Sequence, residues 1–368
     1  MRKIKTQEKL LQTLKSEKLT KLAFQELDLN AVEEQLMKIQ VSNCLFLDCE
    51  MTGKLTRHLF PANYIFPQLD VPFSIYPSGL YNKEKLYKGY DYRKPETYAV
   101  TPDKRVYDYY KKMGGSEARN ISETLARSLH DHSIYDAKHE FLADYDERKI
   151  VAIMGGHKLV RDEALFLQTA RLAKNLTESG FLMASGGGPG AMEATHLGAW
   201  FAGKGDDELT DAVRMLMPAP VFSHPDWLKT AFMVLEKYPE TAYKSLGIPT
   251  WLYGHELSTP FATHIAKLFE NSLREEGLLA IAKGGVIFSP GSAGTMQEFF
   301  MDLAQNHYKS YGFASPMIFL GKKYWTDEFP VYPMVKSLIE TGKLNEIDLS
   351  IYDENEEIIN HLATVNQR

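Results

Sequence analysis

The chain has 368 residues, 44% of them apolar and 24% charged, an ordinary composition for a water-soluble protein large enough for one large or two ordinary domains. A net charge of −6, a pI near 6.0 and the lack of any block of like charges leave no electrostatic footprint for nucleic acid or an anionic membrane, so neither is expected as a partner. Two cysteines, Cys44 and Cys49, are too few for a metal site or a disulfide framework and predict reduced thiols.

Residues 1–29 are rich in Lys and Glu and carry Leu10, Leu11, Leu14, Leu19 and Leu22 at helical spacing. They lack the apolar core of a signal peptide, and no apolar run reaches the ~18–20 residues that span a bilayer, so a cytoplasmic protein is expected. A Tyr-, Phe- and Pro-rich stretch at 60–110 has frequent turns and poor period. A second helical pattern follows at 116–141. Residues 1–148 therefore read as a mainly helical and irregular N-terminal cap with no internal repeat.

From residue 149 short apolar runs alternate with helix-length segments, which predicts an α/β domain over 149–368 with a Rossmann-like parallel sheet and flanking helices. The strand candidates are 150–154, 181–184, 214–217, 250–253, 286–288 and 317–320. Helix candidates lie between them at 162–179, 191–202, 261–275, 295–307 and 331–340. A strand-like run at 348–352 and an acidic helix at 354–362 close the sheet edge.

Two glycine-rich turns carry the chemistry. The first reads Ser185-Gly186-Gly187-Gly188-Pro189-Gly190-Ala191; the second reads Ser289-Pro290-Gly291-Ser292-Ala293-Gly294-Thr295-Met296-Gln297-Glu298. Each follows an apolar run and opens a helix, so each presents backbone N–H groups and partial positive charge to an anion. Ser185 to Gly188 and Pro290 to Thr295 are accordingly candidate phosphate-binding residues. Gly186, Gly188 and Ala191 also satisfy the dinucleotide pattern G-x-G-x-x-A, but no acid ends a strand about 20 residues later to hold a ribose. Thr295 and Glu298 fit a capping box as well as a ligand site, and the sequence leaves both readings open. His255-Glu256 and His264-x-x-Lys267 lack the spacing of a zinc hydrolase, so no metal and no cofactor is expected.

Gly186 to Ala191, followed by Pro290-Gly291-x-x-Gly294-Thr295-x-x-Glu298, resembles the LOG family, the lysine decarboxylase-like Rossmann proteins whose motif reads PGGxGTxxE. The resemblance runs from about residue 149 to the C-terminus. It implies a phosphoribohydrolase or nucleotide 5′-monophosphate nucleosidase assembled as a homodimer or larger homo-oligomer. It also implies a catalytic Arg on the helix before the second turn, for which Arg274 is the match, and a ligand loop at Gly155 and Gly156. Arg274 can equally be read as a surface residue paired with Glu270 one turn back. Two positions depart from the motif: Ser292 replaces the second Gly, and Gln297 replaces the first of two acids found in many members. The expected reaction is hydrolysis of the N-glycosidic bond of a nucleoside monophosphate to free base and ribose 5-phosphate, with Glu298 acting at the ribosyl centre. The alternative is a nucleotide-binding sensor without turnover.

Overall fold

A computed structural model describes residues 1–366. It divides into two units, one made of Met1–Leu80 with Lys111–Glu140 and the other of Tyr81–Tyr110 with the chain from Phe141 onward. The boundary thus falls elsewhere than residue 148. The segment Tyr81–Tyr110 belongs to the second unit because Tyr81 bridges to Ile265, Leu86 and Tyr87 pack with Trp227 and Leu228, and Asp103 forms a buried ion pair with Lys267 at 2.6 Å.

The first unit holds the expected helical stretches, Gln7–Thr13 and Ile121–Leu142, and among them a repeat that the letters conceal. Six short strands, β1 (Arg2–Ile4), β2 (Lys18–Thr20), β3 (Leu22–Gln25), β4 (Gln40–Ser42), β5 (Leu45–Leu47) and β6 (Tyr64–Phe66), all pair in parallel, in the orders β1-β3-β5-β6 and β2-β4. Lys18 faces Gln40 and Ala23 faces Leu45, the same offset of 22 residues. The left-handed backbone at Lys21 and Glu26 returns at Asn43 and Asp48 with that offset. One coil of chain is therefore laid on the next, and each buries the apolar side its neighbour exposes. Phe24 stacks on Phe46 at 4.9 Å and 8°. Only the inward positions and the turns repeat, whereas outward residues vary freely, so the sequence shows no period.

The second unit has the expected α/β, Rossmann-like architecture. Strands β7 (Ile150–Met154), β8 (Leu182–Ser185), β9 (Ser245–Gly247), β10 (His264–Ile265), β11 (Gly285–Phe288), β12 (Met317–Leu320) and β13 (Leu349–Tyr352) form one parallel sheet in the order β10-β9-β8-β7-β11-β12-β13. Every residue of β7, β8, β11 and β12 is buried, as a sheet covered by helices on both faces requires. The helices that cover it include Ala164–Glu178, Ala191–Trp200, Ala293–Tyr308 and Asn355–Val365.

Three expected elements differ. Residues 214–217 end the helix Asp206–Leu216, whose Leu209, Val213 and Leu216 form its buried stripe. Residues 250–253 make a single bridge, Thr250 to Leu268. The stretch 261–275 holds β10, and its helix begins only at Asn271, because the apolar run there feeds a strand and a turn before the helix. The strand β9 was not foreseen, since Ser-Leu-Gly carries no apolar run. Among the described residues no helix is long and apolar enough to cross a membrane.

The stacked coils generate a stability prediction. Phe46→Ala removes the middle of the Phe24 ladder in a fully buried site and should cost about 3–5 kcal/mol, read as a fall in the denaturation midpoint. A loss below about 1 kcal/mol would mean that coil stacking does not hold this unit together.

Candidate functional site

Successive strands from β7 to β10 lie to one side, and the chain then returns to place β11 against the other edge of β7. That reversal creates a crevice at the carboxyl ends of β7 and β11, the place where open α/β sheets bind ligands. Three turns meet there, after β7, β8 and β11. Gly156 N–H donates to the Pro290 carbonyl at 3.2 Å, and Ala191 N–H donates to the Gly156 carbonyl at 3.2 Å. A Cβ on Gly190, whose φ is +70°, would lie 2.3 Å from the Gly156 oxygen, and one on Gly291 would lie 2.1 Å from Thr295 Oγ1. Only glycine lets these backbones touch.

The turn after β11 opens the helix Ala293–Tyr308. Its N-cap, Ser292, makes no side-chain cap, and the first helical bond runs from Met296 N–H to the Ser292 carbonyl at 3.1 Å. The amides ahead of Met296 have no partner within the helix, so they are available to an anion. The capping-box reading of Thr295 and Glu298 is not realised, because the helix starts before Thr295 and Glu298 bonds elsewhere.

These turns wall a cavity of about 190 Å³. Of the expected residues, Gly155, Gly156, Gly186, Ser292, Gly294, Thr295, Arg274 and Glu298 line it. Ser185, Gly187, Gly188, Pro290, Gly291 and Ala293 lie off the wall and shape the turns behind it. Arg274 Nη1 donates to Glu298 Oε1 at 3.1 Å, so the pairing is with Glu298 and joins the two side chains across 24 residues of sequence. Burial pushes the Glu298 carboxyl up and Glu275 adds to that, while Arg274 pulls it back, and the balance leaves it at about 6.

Glu275 was not singled out by the sequence. Its carboxylate accepts from Asn271 Nδ2 at 2.7 Å and from Gln297 Nε2, and it lies 3.8 Å from Arg274 Nη2. Gln297, which looks like a lost acid in the motif, thus anchors an acid supplied by the other helix. No local pattern signals this, because the pairing depends on how two helices pack. His157, Tyr253, Glu256 and Met192 line the wall as well, with Ile153 and Met154 from β7. Arg161, beyond the first turn, is not part of it: its guanidinium is buried in a bidentate pair with Glu193 over the Trp227 ring. Among the described residues no group of three or more His, Cys, Asp or Glu is placed to hold a metal ion.

The raised carboxyl has a measurable consequence for folding. A folded-state value of about 6 against 4.5 for an ordinary Glu means the fold favours the protonated acid. The associated stability is present below pH 4.5 and lost as pH rises through 6. Glu298→Gln, which cannot ionise, should therefore gain on the wild type by about 2 kcal/mol between pH 4 and pH 8 in paired melts. A pH-independent difference would show that Glu298 titrates normally.

No family model and no curated protein matches this chain. Among solved structures, the molybdenum cofactor binding protein of Rippkaea orientalis aligns with a TM-score of 0.37 and 15% identity, covering 59% of this chain and 96% of that one. The molybdenum cofactor carrier protein of Chlamydomonas reinhardtii aligns in two structures at 12% identity, with TM-scores of 0.37 and 0.34, each covering 60% of this chain and 98% of that one. Overlap this loose says nothing about any residue of the site. The LOG resemblance is corrected by these findings: no family model and no curated protein supports it, and the structural neighbours named here are molybdenum cofactor binding and carrier proteins. The physical reason is that paired glycine turns are what any parallel sheet needs to cradle an anion, so motifs this short do not by themselves identify a family.

Proposed function

We propose that the protein hydrolyses the N-glycosidic bond of a nucleoside 5′-monophosphate. The observation that carries this reading is one cavity holding both uncapped helix amides and a buried carboxyl near pH 6, with Arg274 bonded to it. The 5′-phosphate takes the amides of Gly294 and Thr295, a fixed anchor that brings the ribose against Glu298. As the bond from C1′ to the base nitrogen breaks, positive charge develops on the ribosyl ring and the Glu298 carboxylate faces it. Water then adds to C1′ and gives its proton to Glu298, which passes it to the departing base, so the base leaves neutral and Glu298 returns to its ionised form. The products are free base and ribose 5-phosphate. Arg274 favours the ionised state of Glu298 in which it can accept that proton.

The expected homo-oligomer belongs to the same reading. Leu273 at 44% exposure, Phe300 at 46% and Tyr308 at 77% lie on the helices Asn271–Ile281 and Ala293–Tyr308, which pack together beside the cavity. A second copy covering these side chains would remove them from water.

The purified protein, incubated with a panel of nucleoside monophosphates, should release free base detectable by chromatography. Nucleosides without the 5′-phosphate should be cleaved far more slowly, and Glu298→Ala and Glu298→Gln should reduce turnover by about 10²–10⁴-fold while binding persists. Tight binding of a monophosphate with no base released would instead identify a nucleotide sensor, and an active Glu298→Ala protein would remove the carboxylate from the mechanism. Light scattering at micromolar concentration should give a mass well above the 41.9 kDa chain, and Arg274→Ala should depress turnover without dissociating it. A fully active monomer would refute the assembly.

A further inference from the structure

Behind the turn after β8 runs a buried chain of polar groups that the proposed reaction does not use. His196, on the helix Ala191–Trp200, is fully buried. Its Nε2 lies 2.9 Å from Ser185 Oγ, and its Nδ1 lies 2.9 Å from Ser245 Oγ. Ser185 and Ser245 are buried to the same degree, at the end of β8 and the start of β9. Ser185 Oγ also accepts the Gly187 N–H at 3.0 Å. That bond fills one of the two acceptor positions of the hydroxyl, which keeps its hydrogen and its second lone pair for Nε2.

The turn held in this way abuts the catalytic pair. A Cβ on Gly186 would lie 2.7 Å from Met192 Sδ and 3.2 Å from Arg274 Nη1, so the guanidinium and the Met192 thioether occupy the space that the missing side chain of this turn leaves. The same Nη1 donates to Glu298. A continuous set of contacts therefore leads from Ser245 through His196, Ser185 and the Gly187 amide to Gly186, Arg274 and Glu298.

We infer that His196 is a positioning residue: through Ser185 it fixes the glycine turn, and through the turn it keeps Arg274 on Glu298. Burial lowers the imidazole to about 3, so the ring stays neutral at ordinary pH and bridges the two serine hydroxyls without carrying charge. The inference rests on Glu298 being the working carboxylate. The titratable and charged groups facing Glu298 in the cavity are Arg274 and Glu275 from one helix, His157 from the turn after β7, and Glu256 from the loop before β10. Of these, Arg274 is the group that lowers the Glu298 acid. Loosening the turn should free Arg274 and move the Glu298 titration upward.

The two ring nitrogens can be tested separately. In His196→Gln the side-chain amide reaches the place of Nε2 and keeps the Ser185 contact; in His196→Asn it reaches the place of Nδ1 and keeps only Ser245. The Glu298 carboxyl would be titrated by carbon-detected NMR in the full-length protein. His196→Asn and Ser185→Ala should raise the midpoint by about half a pH unit or more, and His196→Gln should leave it near the wild-type value. The acid limb of monophosphate cleavage should move in parallel. A histidine that merely fills the core would make Gln and Asn equally damaging, and that outcome, or a Ser185→Ala protein with an unmoved titration, overturns the inference. Ser185→Ala deletes a single hydroxyl and keeps the decision open if both His196 variants unfold. Should the wild type cleave no monophosphate, the proposed reaction falls, while the Glu298 titration still decides the role of His196.

Discussion

The second unit depends on three backbones being allowed to touch. At the carboxyl edge of β7, β8 and β11 the Gly156 carbonyl, the Gly190 backbone and the Gly291 backbone come so close that a single methyl at Gly190 or Gly291 would overlap a neighbour. Everything in the cavity follows from that approach. It aims the start of the helix Ala293–Tyr308 into the crevice, and it sets Glu298 one turn inside the mouth. It also brings the turn after β8 against Arg274. Glycine is disfavoured in ordinary structure by its entropy, so a cluster of it at the switch point of a parallel sheet is explained by this geometry and not by local propensity.

Charge inside the second unit falls into two kinds. Arg161 with Glu193, and Lys267 with Asp103, are buried pairs whose cations are further satisfied, Arg161 by the Ala219 and Trp227 carbonyls and Thr230, Lys267 by Ser258. Breaking either pair would strand a charge in the core at a cost of about 3–5 kcal/mol, so their role is to hold the segments they join. Arg274 and Glu298 are different. They share one bond of 3.1 Å at the edge of an open cavity, and Glu298 keeps acceptor capacity that no protein group fills. Saturation separates a structural ion pair from one that can meet a ligand.

Much of this was legible in the letters, and the illegible parts have a common cause. The strands β7, β8, β11 and β12 announce themselves as short apolar runs between turns, and both turns that border the cavity are visible as glycine clusters, because in each case the physical demand falls on neighbouring residues. What stayed hidden depends on residues far apart. The pairing of Arg274 with Glu298, the anchoring of Glu275 by Gln297, and the Ser185–His196–Ser245 chain each join separate elements. The coils of the first unit escaped for a related reason: their period lies in backbone turns at Lys21, Glu26, Asn43 and Asp48, where only the acids Glu26 and Asp48 match in side-chain chemistry and neither is a residue that announces a turn. Strands as short as β9 and β10 lack the length to show a pattern at all.

Two acids on one helix show what the arginine adds to the larger effect of burial. Glu298 and Asp302 stand one turn apart on the buried stripe of Ala293–Tyr308, with exposures of 9% and 1%. Burial raises both acids. Asp302 meets desolvation alone and its Oδ2 has no hydrogen-bond partner, so its acid is pushed well above the usual carboxylate value. Glu298 meets the same desolvation but has Arg274 at 3.1 Å, and it settles at about 6. A carboxyl at that value is largely ionised at neutral pH and still basic enough to take a proton from water, which is the compromise general-base catalysis requires. Burial alone would have made Glu298 a second Asp302. Its usefulness comes from the guanidinium, and the position of the guanidinium depends in turn on the space that Gly186 leaves.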